Sequence, residues 1–259
     1  MNQNKAIPIY HQIATILKGD ILQGQFVPGK QLPSENVLAK AYKVSRSTVR
    51  QALDSLEKEK FIFRQRGRGT FISDEVMSLE PFHLDGSLEI EDIIPNGLKP
   101  KVKITNFSFT RVYKKVTDAL GLPEGEKVFR IDKLRSLKNK PYSYAQIYVL
   151  PEIGAKIKRK AVRYKRVLEV IEEDLKIDLS ESKAIQKLGA IVADSYIAPL
   201  LNVWIGDPLL YTERTIYDSK GKPIEHVLLY YRADRFAYKV HLSRRKNDKT
   251  TKGGWKIKT

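Results

Sequence analysis

The sequence contains no cysteine. That excludes a disulfide framework, a thiolate metal site and a cysteine nucleophile. It also lacks any apolar run of about 18 residues, so no segment is expected to span a membrane. The N-terminus, MNQNKAIPIYHQ, has no apolar core of the kind a signal peptide needs. Histidine is scarce: His11, His83, His226 and His241 lie far apart and in no metal-ligand spacing. No G-x-S-x-G, Walker A or dinucleotide-binding loop occurs. Together these absences weigh against an enzyme and imply neither a metal nor a cofactor. The expected compartment is the cytoplasm.

What is present is basic charge, unevenly spread. Over 259 residues the formal net charge is +17. Residues 1–74 hold 12 Lys/Arg against 6 Asp/Glu, residues 75–243 hold 28 against 23, and the last 16 residues hold 7 against 1. The ends are far more basic per residue than the middle, which points to a polyanion such as nucleic acid. A hydrophobic share of 42% suffices for packed cores, and the length suits one large domain or two ordinary ones.

The first stretch reads as three helices and a hairpin. Pro8–Leu22 carries Tyr10, Ile13, Ile16, Leu17, Ile21 and Leu22 at helical spacing, with Gly24 placed for a left-handed cap. A second helix follows Ser34, which is suited to N-cap it. The reciprocal half of a capping box is missing because Val37 stands where Glu or Gln is needed. Leu38, Ala41 and Tyr42 are its expected buried face. Lys43-Val44 makes the turn, and Ser45 can cap a third helix whose apolar face is Val49, Ala52, Leu53 and Leu56. The opposite face holds Arg46, Ser47, Arg50, Gln51 and Asp54. A helix start rich in Ser, Thr and Arg favours phosphate through free N–H groups, and Arg and Gln can pair with base edges. An ordinary solvated polar face would read the same way if it stood alone. It is followed at once by two short strand-like runs, Phe61–Phe63 and Thr70–Ile72, around the tip Arg64-Gln65-Arg66-Gly67-Arg68-Gly69. Arginine at such a tip suits a minor groove or phosphates. Helix-turn-helix plus basic hairpin is a winged helix.

Several stretches then carry a resemblance: Pro8–Ile13, Leu32-Pro33-Ser34-Glu35, Val44–Leu53 and Gly67–Phe71. They resemble the GntR family of bacterial transcription regulators over nearly all of residues 6–74. The resemblance implies DNA contacts from Ser34, Glu35, Asn36, Ser45, Arg46, Ser47, Thr48, Arg50, Gln51, Arg66, Gly67, Arg68 and Gly69. Two positions depart from the family pattern. Asn36 stands where a basic residue is frequent. Lys60 stands where glycine is usual, so it must adopt a helix-ending conformation.

Beyond a linker at 75–80 and a short helix expected within Gly86–Ile94, the pattern turns to strands: Val102–Thr110, Lys127–Leu137, Tyr142–Leu150, Ile185–Ala193, Leu209–Tyr217 and Glu225–Arg232. Helices are expected at Lys114–Leu120, Arg166–Leu175 and Asp194–Leu201. This is an α+β domain with an antiparallel sheet. Gly206–Leu210, Glu213-Arg214, Gly221–Glu225 and Tyr231–Arg235 resemble the end of the UTRA domain, the small-molecule sensor of the HutC-type GntR branch, which shares the chorismate lyase fold. The domain expected here is 81–243, followed by a basic, mobile tail at 244–259. The resemblance implies an effector pocket with Arg135, Glu225 and Tyr231; Lys133, on the same strand face as Arg135, and Gln146 and Arg166 are further candidates, and a homodimer is expected because one recognition helix reads too few base pairs. Arg135 can hold a phosphate or carboxylate, and Glu225 can accept from hydroxyls or an amine; direct pairing of Arg135 with Glu225 is the competing reading. Arg166-Val167-Leu168 replaces the Ser-Leu-Tyr step of sugar-phosphate sensors, and Gln146 is the nearest polar residue to the usual Glu. The expected function is a repressor that binds a double-stranded DNA operator under control of a small, anionic metabolite such as a sugar phosphate or carboxylate. An enzyme on the chorismate lyase-like fold and a ligand-independent DNA binder are the alternatives.

Overall fold

The structure, a computed structural model, describes residues 7–74, 82–84, 100–238, 242–243 and 256–257. The chain divides into two compact units, residues 1–80 and 81–259. The expected linker 75–80, the helix within 86–94 and the tail 244–259, apart from the strand Lys256–Ile257, lie outside the described residues.

The first unit is three helices and a two-stranded hairpin: α1 (Ile9–Leu22), α2 (Glu35–Tyr42), α3 (Arg46–Lys58), β1 (Ile62–Gln65) and β2 (Gly69–Ile72). Its core is Ile13, Ala14, Leu17 and Ile21 from α1, Leu38 from α2, Val49, Ala52, Leu53 and Leu56 from α3, and Phe61, Ile62 and Ile72 around the hairpin. Fully buried side chains of this size contribute about 1.5–3 kcal/mol each, so this small core is sufficient for a domain of this length. Two expected faces need correction. On α1, Ile16 and Leu22 are exposed, while His11 and Ala14 are buried. On α2, Ala39 rather than Ala41 packs on the core.

The helix ends follow from local chemistry. Ser34 accepts from the Val37 N–H (3.4 Å), and Ser45 accepts from the Thr48 N–H (3.1 Å). Gly24 has φ +79° just past α1. Lys60 takes φ +64° at the end of α3, the left-handed region where a β-carbon is strained and glycine is not. Gly69, at φ +120°, lies so close to the Gln31 side chain that any β-carbon would collide with it.

The second unit is built on a six-stranded antiparallel sheet. Its elements are β3 (Phe82–Leu84), β4 (Lys101–Arg111), α4 (Lys114–Ala119), β5 (Lys127–Leu137), β6 (Lys140–Val149), α5 (Pro151–Gly154), α6 (Ala161–Tyr164), α7 (Val167–Glu169), β7 (Lys183–Val192), α8 (Ile197–Leu201), β8 (Pro208–Tyr217), β9 (Pro223–Arg232), β10 (Phe236–Tyr238), β11 (Leu242–Ser243) and β12 (Lys256–Ile257). The strand order is β4-β5-β6-β9-β8-β7. The short pairs β3–β10 and β11–β12 lie outside it.

The helix expected over Arg166–Leu175 is instead α7 followed by a π-turn at Val170–Asp174. The short helices α5 and α6 were not expected. Gly154 lets α5 close onto β5, since a β-carbon there would collide with Phe129.

The sheet has two different faces. One carries much of the main core, including Ile131, Ala145, Ile147, Val227, Leu229 and Ile216, under Ile153, Val162, Val167, Val170 and Ile171. The other packs Tyr144 and Leu209 against α8 through Ile197, Ala198 and Leu201.

Candidate functional site

In the first unit the surface of interest starts at α3. Arg46, Ser47, Arg50 and Gln51 are exposed on it, and Asn36 is exposed on α2. Ser45 Oγ lies 2.7 Å from both Ser47 Oγ and Thr48 Oγ1, so the capping serine also orders the hydroxyls at the helix start. Glu35 gathers the two arginines: Arg46 Nε donates to Oε2 (2.7 Å), and Arg50 donates through Nε to Oε1 (3.2 Å) and through Nη2 to Oε2 (3.1 Å). The hydrogen bond from Arg50, then that from Arg46, holds the Glu35 carboxyl below its ordinary pKa. One carboxylate thus fixes the direction of two guanidinium forks. The sequence placed Glu35 among the DNA contacts without revealing this role.

At the hairpin the three arginines differ. Arg64 is tied to α3 by Asp54 (2.6 Å) and Glu57 (2.7 Å). Arg66 and Arg68 are exposed at the tip with Gly67 and Gly69. Gln31 Nε2 donates to the Arg68 carbonyl (2.7 Å), which pins the turn.

The second site is a small, partly open cavity in the sheet unit, lined by Lys133, Arg135, Ile147, Arg166, Val167, Arg214, Glu225, Val227 and Leu229. The strand pairing explains why these meet. Ile131 and Ile147, Val227 and Arg214, and Ile216 and Glu225 are cross-strand partners, so all project from one face with Lys133 and Arg135. Lys133, Arg135, Arg214 and Glu225 are buried. Lys133 Nζ donates to the Lys165 carbonyl (2.9 Å), which ties β5 to the segment before α7. Arg166 stands at the N-cap of α7; its Nε (2.6 Å) and backbone N–H (2.9 Å) donate to Glu169. Four cations and one carboxylate therefore line a largely desolvated space. Such a set has the chemistry to receive an anion, since charge-assisted hydrogen bonds gain strength where water is scarce.

Four of the six expected effector residues, Lys133, Arg135, Arg166 and Glu225, meet here. Tyr231 shares the face but does not line the cavity; its ring packs on Phe236 at 4.9 Å. Gln146 is a correction. It pairs with Asp132 and lies on the opposite face, where Tyr230 Oη donates to its Oε1 (3.4 Å). The cause is a bulge: Arg135 pairs with Ser143 and Ser136 with Pro141, leaving Tyr142 as an extra residue that reverses the phase of β6. Arg214 was not among the expected pocket residues. Thr212, Arg214 and Ile216 alternate along β8, and the register with β9 puts them on the face of Glu225.

That opposite face holds a polar network centred on the buried Asp132 and Tyr144. Arg130 donates to both oxygens of Asp132 (2.7 Å each), Tyr144 Oη donates to Asp132 Oδ2 (2.7 Å), and the hydroxyls of Tyr144 and Tyr196 lie 2.9 Å apart. His226 is enclosed beside it, its Nδ1 2.9 Å from Thr215 Oγ1. Burial pushes its pKa down to about 4 from an ordinary 6.5. Between those values the unfolded chain takes up a proton that the folded one does not. Stability is therefore full above pH 6.5 and falls by about 1.4 kcal/mol per unit as pH drops toward 4. Chemical denaturation of His226→Gln between pH 7 and 4.5 is expected to show a shallower acid loss than the parent; equal slopes would assign the loss to other groups.

A helix-turn-helix with an arginine-bearing hairpin, joined to a sheet domain with a charged cavity, defines the class of DNA-binding regulators that carry a ligand-sensing domain. The comparisons agree. Residues 9–72 match the bacterial regulatory proteins of the gntR family, and residues 96–237 match the UTRA domain. The chain is 29% identical to the HTH-type transcriptional repressor NagR of Bacillus subtilis over 94% of this chain and 98% of that protein. It is 24% identical to the mannosyl-D-glycerate transport/metabolism system repressor MngR of Escherichia coli, over 92% and 97% of the two chains. PhnF from Mycobacterium smegmatis shares the fold, with a TM-score of 0.53 at 21% identity, covering 88% of this chain and 97% of that one. The chain belongs to the GntR family of transcription regulators, in the branch that carries a UTRA domain. It is a regulator and not an enzyme, as its relatives are. Among the described residues no helix is long and apolar enough to cross a membrane.

Proposed function

We propose that this protein is a repressor that binds its operator as a homodimer in the cytoplasm and is controlled by a small anionic metabolite seated in the cavity of the sheet unit. Residues 75–80 would join the DNA-binding unit to the sensor. The observation that carries the reading is the lining of that cavity: Lys133, Arg135, Arg166 and Arg214 with Glu225 as the one carboxylate, in the domain that matches UTRA. The cations suit a phosphate or carboxylate, and Glu225 suits a hydroxyl or amine on the same molecule. A two-fold dimer follows from the size of the reading head, since one recognition helix spans too few base pairs for an operator. Arg46, Arg50, Gln51, Arg66 and Arg68 would face the duplex, with Ser34, Asn36, Ser45, Ser47, Thr48, Gly67 and Gly69 supplying short polar or backbone approaches.

The test is a thermal-shift titration of the full chain with hexose phosphates, hexosamine phosphates, sugar acids and the matching neutral sugars. The expected result is a rise in Tm for at least one anionic member and none for its neutral counterpart, with the same compound weakening operator binding. A rise with neutral sugars alone would overturn the anionic assignment. Operator binding unchanged by every stabilising compound would overturn control by this cavity.

A further inference from the structure

The surplus charge of the sheet unit is concentrated in one place. Residues 75–243 hold 28 Lys/Arg against 23 Asp/Glu, and seven of those 28 fall between positions 156 and 166, where no acid falls. Without that stretch the rest of the unit is slightly acidic. The stretch joins α5 to α6 and runs on to α7. Its backbone is fixed. Ile157 and Val162 are buried in the main core. The Ala161 N–H donates to the Lys158 carbonyl (3.0 Å), and the Lys165 N–H donates to the Ala161 carbonyl (3.0 Å). Arg159 Nη2 donates to the Ile104 carbonyl of β4 (3.1 Å), and its guanidinium lies 5.9 Å over the Phe107 ring. Lys165 is paired with Glu173 and Asp174, and Arg166 with Glu169. Four cations remain: Lys156, Lys158, Lys160 and Arg163. All four are exposed, and none makes a side-chain hydrogen bond or ion pair among the described residues.

We propose that this stretch is a second contact for duplex DNA, made by the sheet unit with phosphates and additional to α3 and the hairpin. A solvated face normally interleaves the two signs, as the remainder of this unit does. Four unpaired cations held within positions 156–163 on a fixed backbone repel one another, and a polyanion relieves that repulsion. Lysine and arginine in such a row suit phosphate oxygens and read no bases. Arg163, steadied 6.0 Å over the Tyr164 ring, adds a planar fork. The apolar residues of the segment favour DNA over a membrane. Ile153, Ile157 and Val162 are buried, and α5 and α6 have four residues each, so no apolar helix face is offered to a lipid. The chain is a DNA-binding regulator, so a duplex held by the first unit is at high effective concentration for a surface on the same chain. A contact of this kind adds affinity without sequence preference, and it fades with salt.

The test is the salt dependence of binding by the full chain to an unrelated duplex long enough to reach beyond the DNA-binding unit, read by fluorescence anisotropy. Each phosphate contact contributes about 0.9 to the slope of log affinity against log salt. Lys156→Gln/Lys158→Gln/Lys160→Gln/Arg163→Gln is expected to make that slope shallower by about 2–4 and to weaken binding at roughly 0.1 M salt by about a hundredfold or more. Only exposed side chains change, so its circular dichroism spectrum is expected to match the parent's. Lys127→Gln/Lys138→Gln/Lys176→Gln/Lys220→Gln removes the same charge from exposed positions elsewhere in the unit, and is expected to change the slope by less than about 1. Lys156→Arg/Lys158→Arg/Lys160→Arg/Arg163→Lys keeps the charge and is expected to keep the parent's slope. A four-glutamine variant of the stretch whose slope is no shallower than that of the dispersed variant would overturn the proposal. If that variant binds duplex as the parent does but no longer co-sediments with vesicles of phosphatidylcholine and phosphatidylserine that the parent binds, the surface serves a membrane instead.

Discussion

Arg50→Ala is expected to weaken operator binding roughly tenfold to a hundredfold while changing affinity for unrelated duplex by less than about threefold at the same salt. The argument is geometric. Arg50 stands on the exposed face of α3, and its fork is directed by two hydrogen bonds to Glu35, which also holds Arg46. A guanidinium fixed in this way reaches a guanine edge with little rotamer entropy left to lose. Lysine carries the charge but lacks the fork, so Arg50→Lys is expected to recover nonspecific affinity and not discrimination. Glu35→Gln should act in the opposite sense on the two duplexes. It frees both arginines and removes a negative charge near phosphates, so affinity for unrelated DNA rises while the preference for the operator shrinks. Fluorescence anisotropy on both duplexes at matched ionic strength reads all three variants. Equal losses on operator and unrelated DNA for Arg50→Ala would make Arg50 a phosphate contact.

These residues also show where the sequence could be read and where it could not. The winged helix was legible because its signals are local. Ser34 and Ser45 cap the helices that their positions announced, and Val49, Ala52, Leu53 and Leu56 bury the expected face. Lys60 adopts the left-handed conformation required of whatever residue replaces the family's glycine. The six long strands lie within two residues of the expected limits, since alternation and turn residues are also local. What failed depends on pairing. Counted from the Lys138-Asn139 turn without a bulge, Ile131 would oppose Gln146 and turn it toward the cavity. The extra residue at Tyr142 sends it to the other face. Arg214 was missed for the complementary reason. Its strand alternates plainly, but only the register with β9 shows that its phase is that of Glu225. Glu35 was expected only as a DNA contact and its role as a clamp was missed, because the approach of α2 to α3 is tertiary. The π-turn after α7 replaces what apolar spacing alone reads as an ordinary helix.

Arg214→Met is expected to abolish the ligand-induced rise in Tm and the ligand's effect on operator binding. A charge-assisted hydrogen bond in a desolvated site is worth about 1.5–3 kcal/mol, roughly a tenfold to hundredfold loss in affinity. Arg214 is buried against the cavity beside Glu225 and the aliphatic walls Val227 and Leu229. Methionine preserves much of its length and its apolar stem, so the packing of β8 on β9 is retained. Removing one of four cations also lessens the mutual repulsion that an anionic ligand offsets in the parent. With the operator read by α3 and the hairpin of the other unit, as proposed, operator binding without ligand should stay within about twofold. Glu225→Gln separates the two chemistries of the cavity. It keeps the shape and the cations, so inorganic phosphate should still raise Tm, while the sugar or amine part of the true effector loses its acceptor and its selectivity. If Arg214→Met responds to the ligand as the parent does, the anion is held by Lys133 and Arg135 alone, and Arg214 serves the sheet rather than the signal.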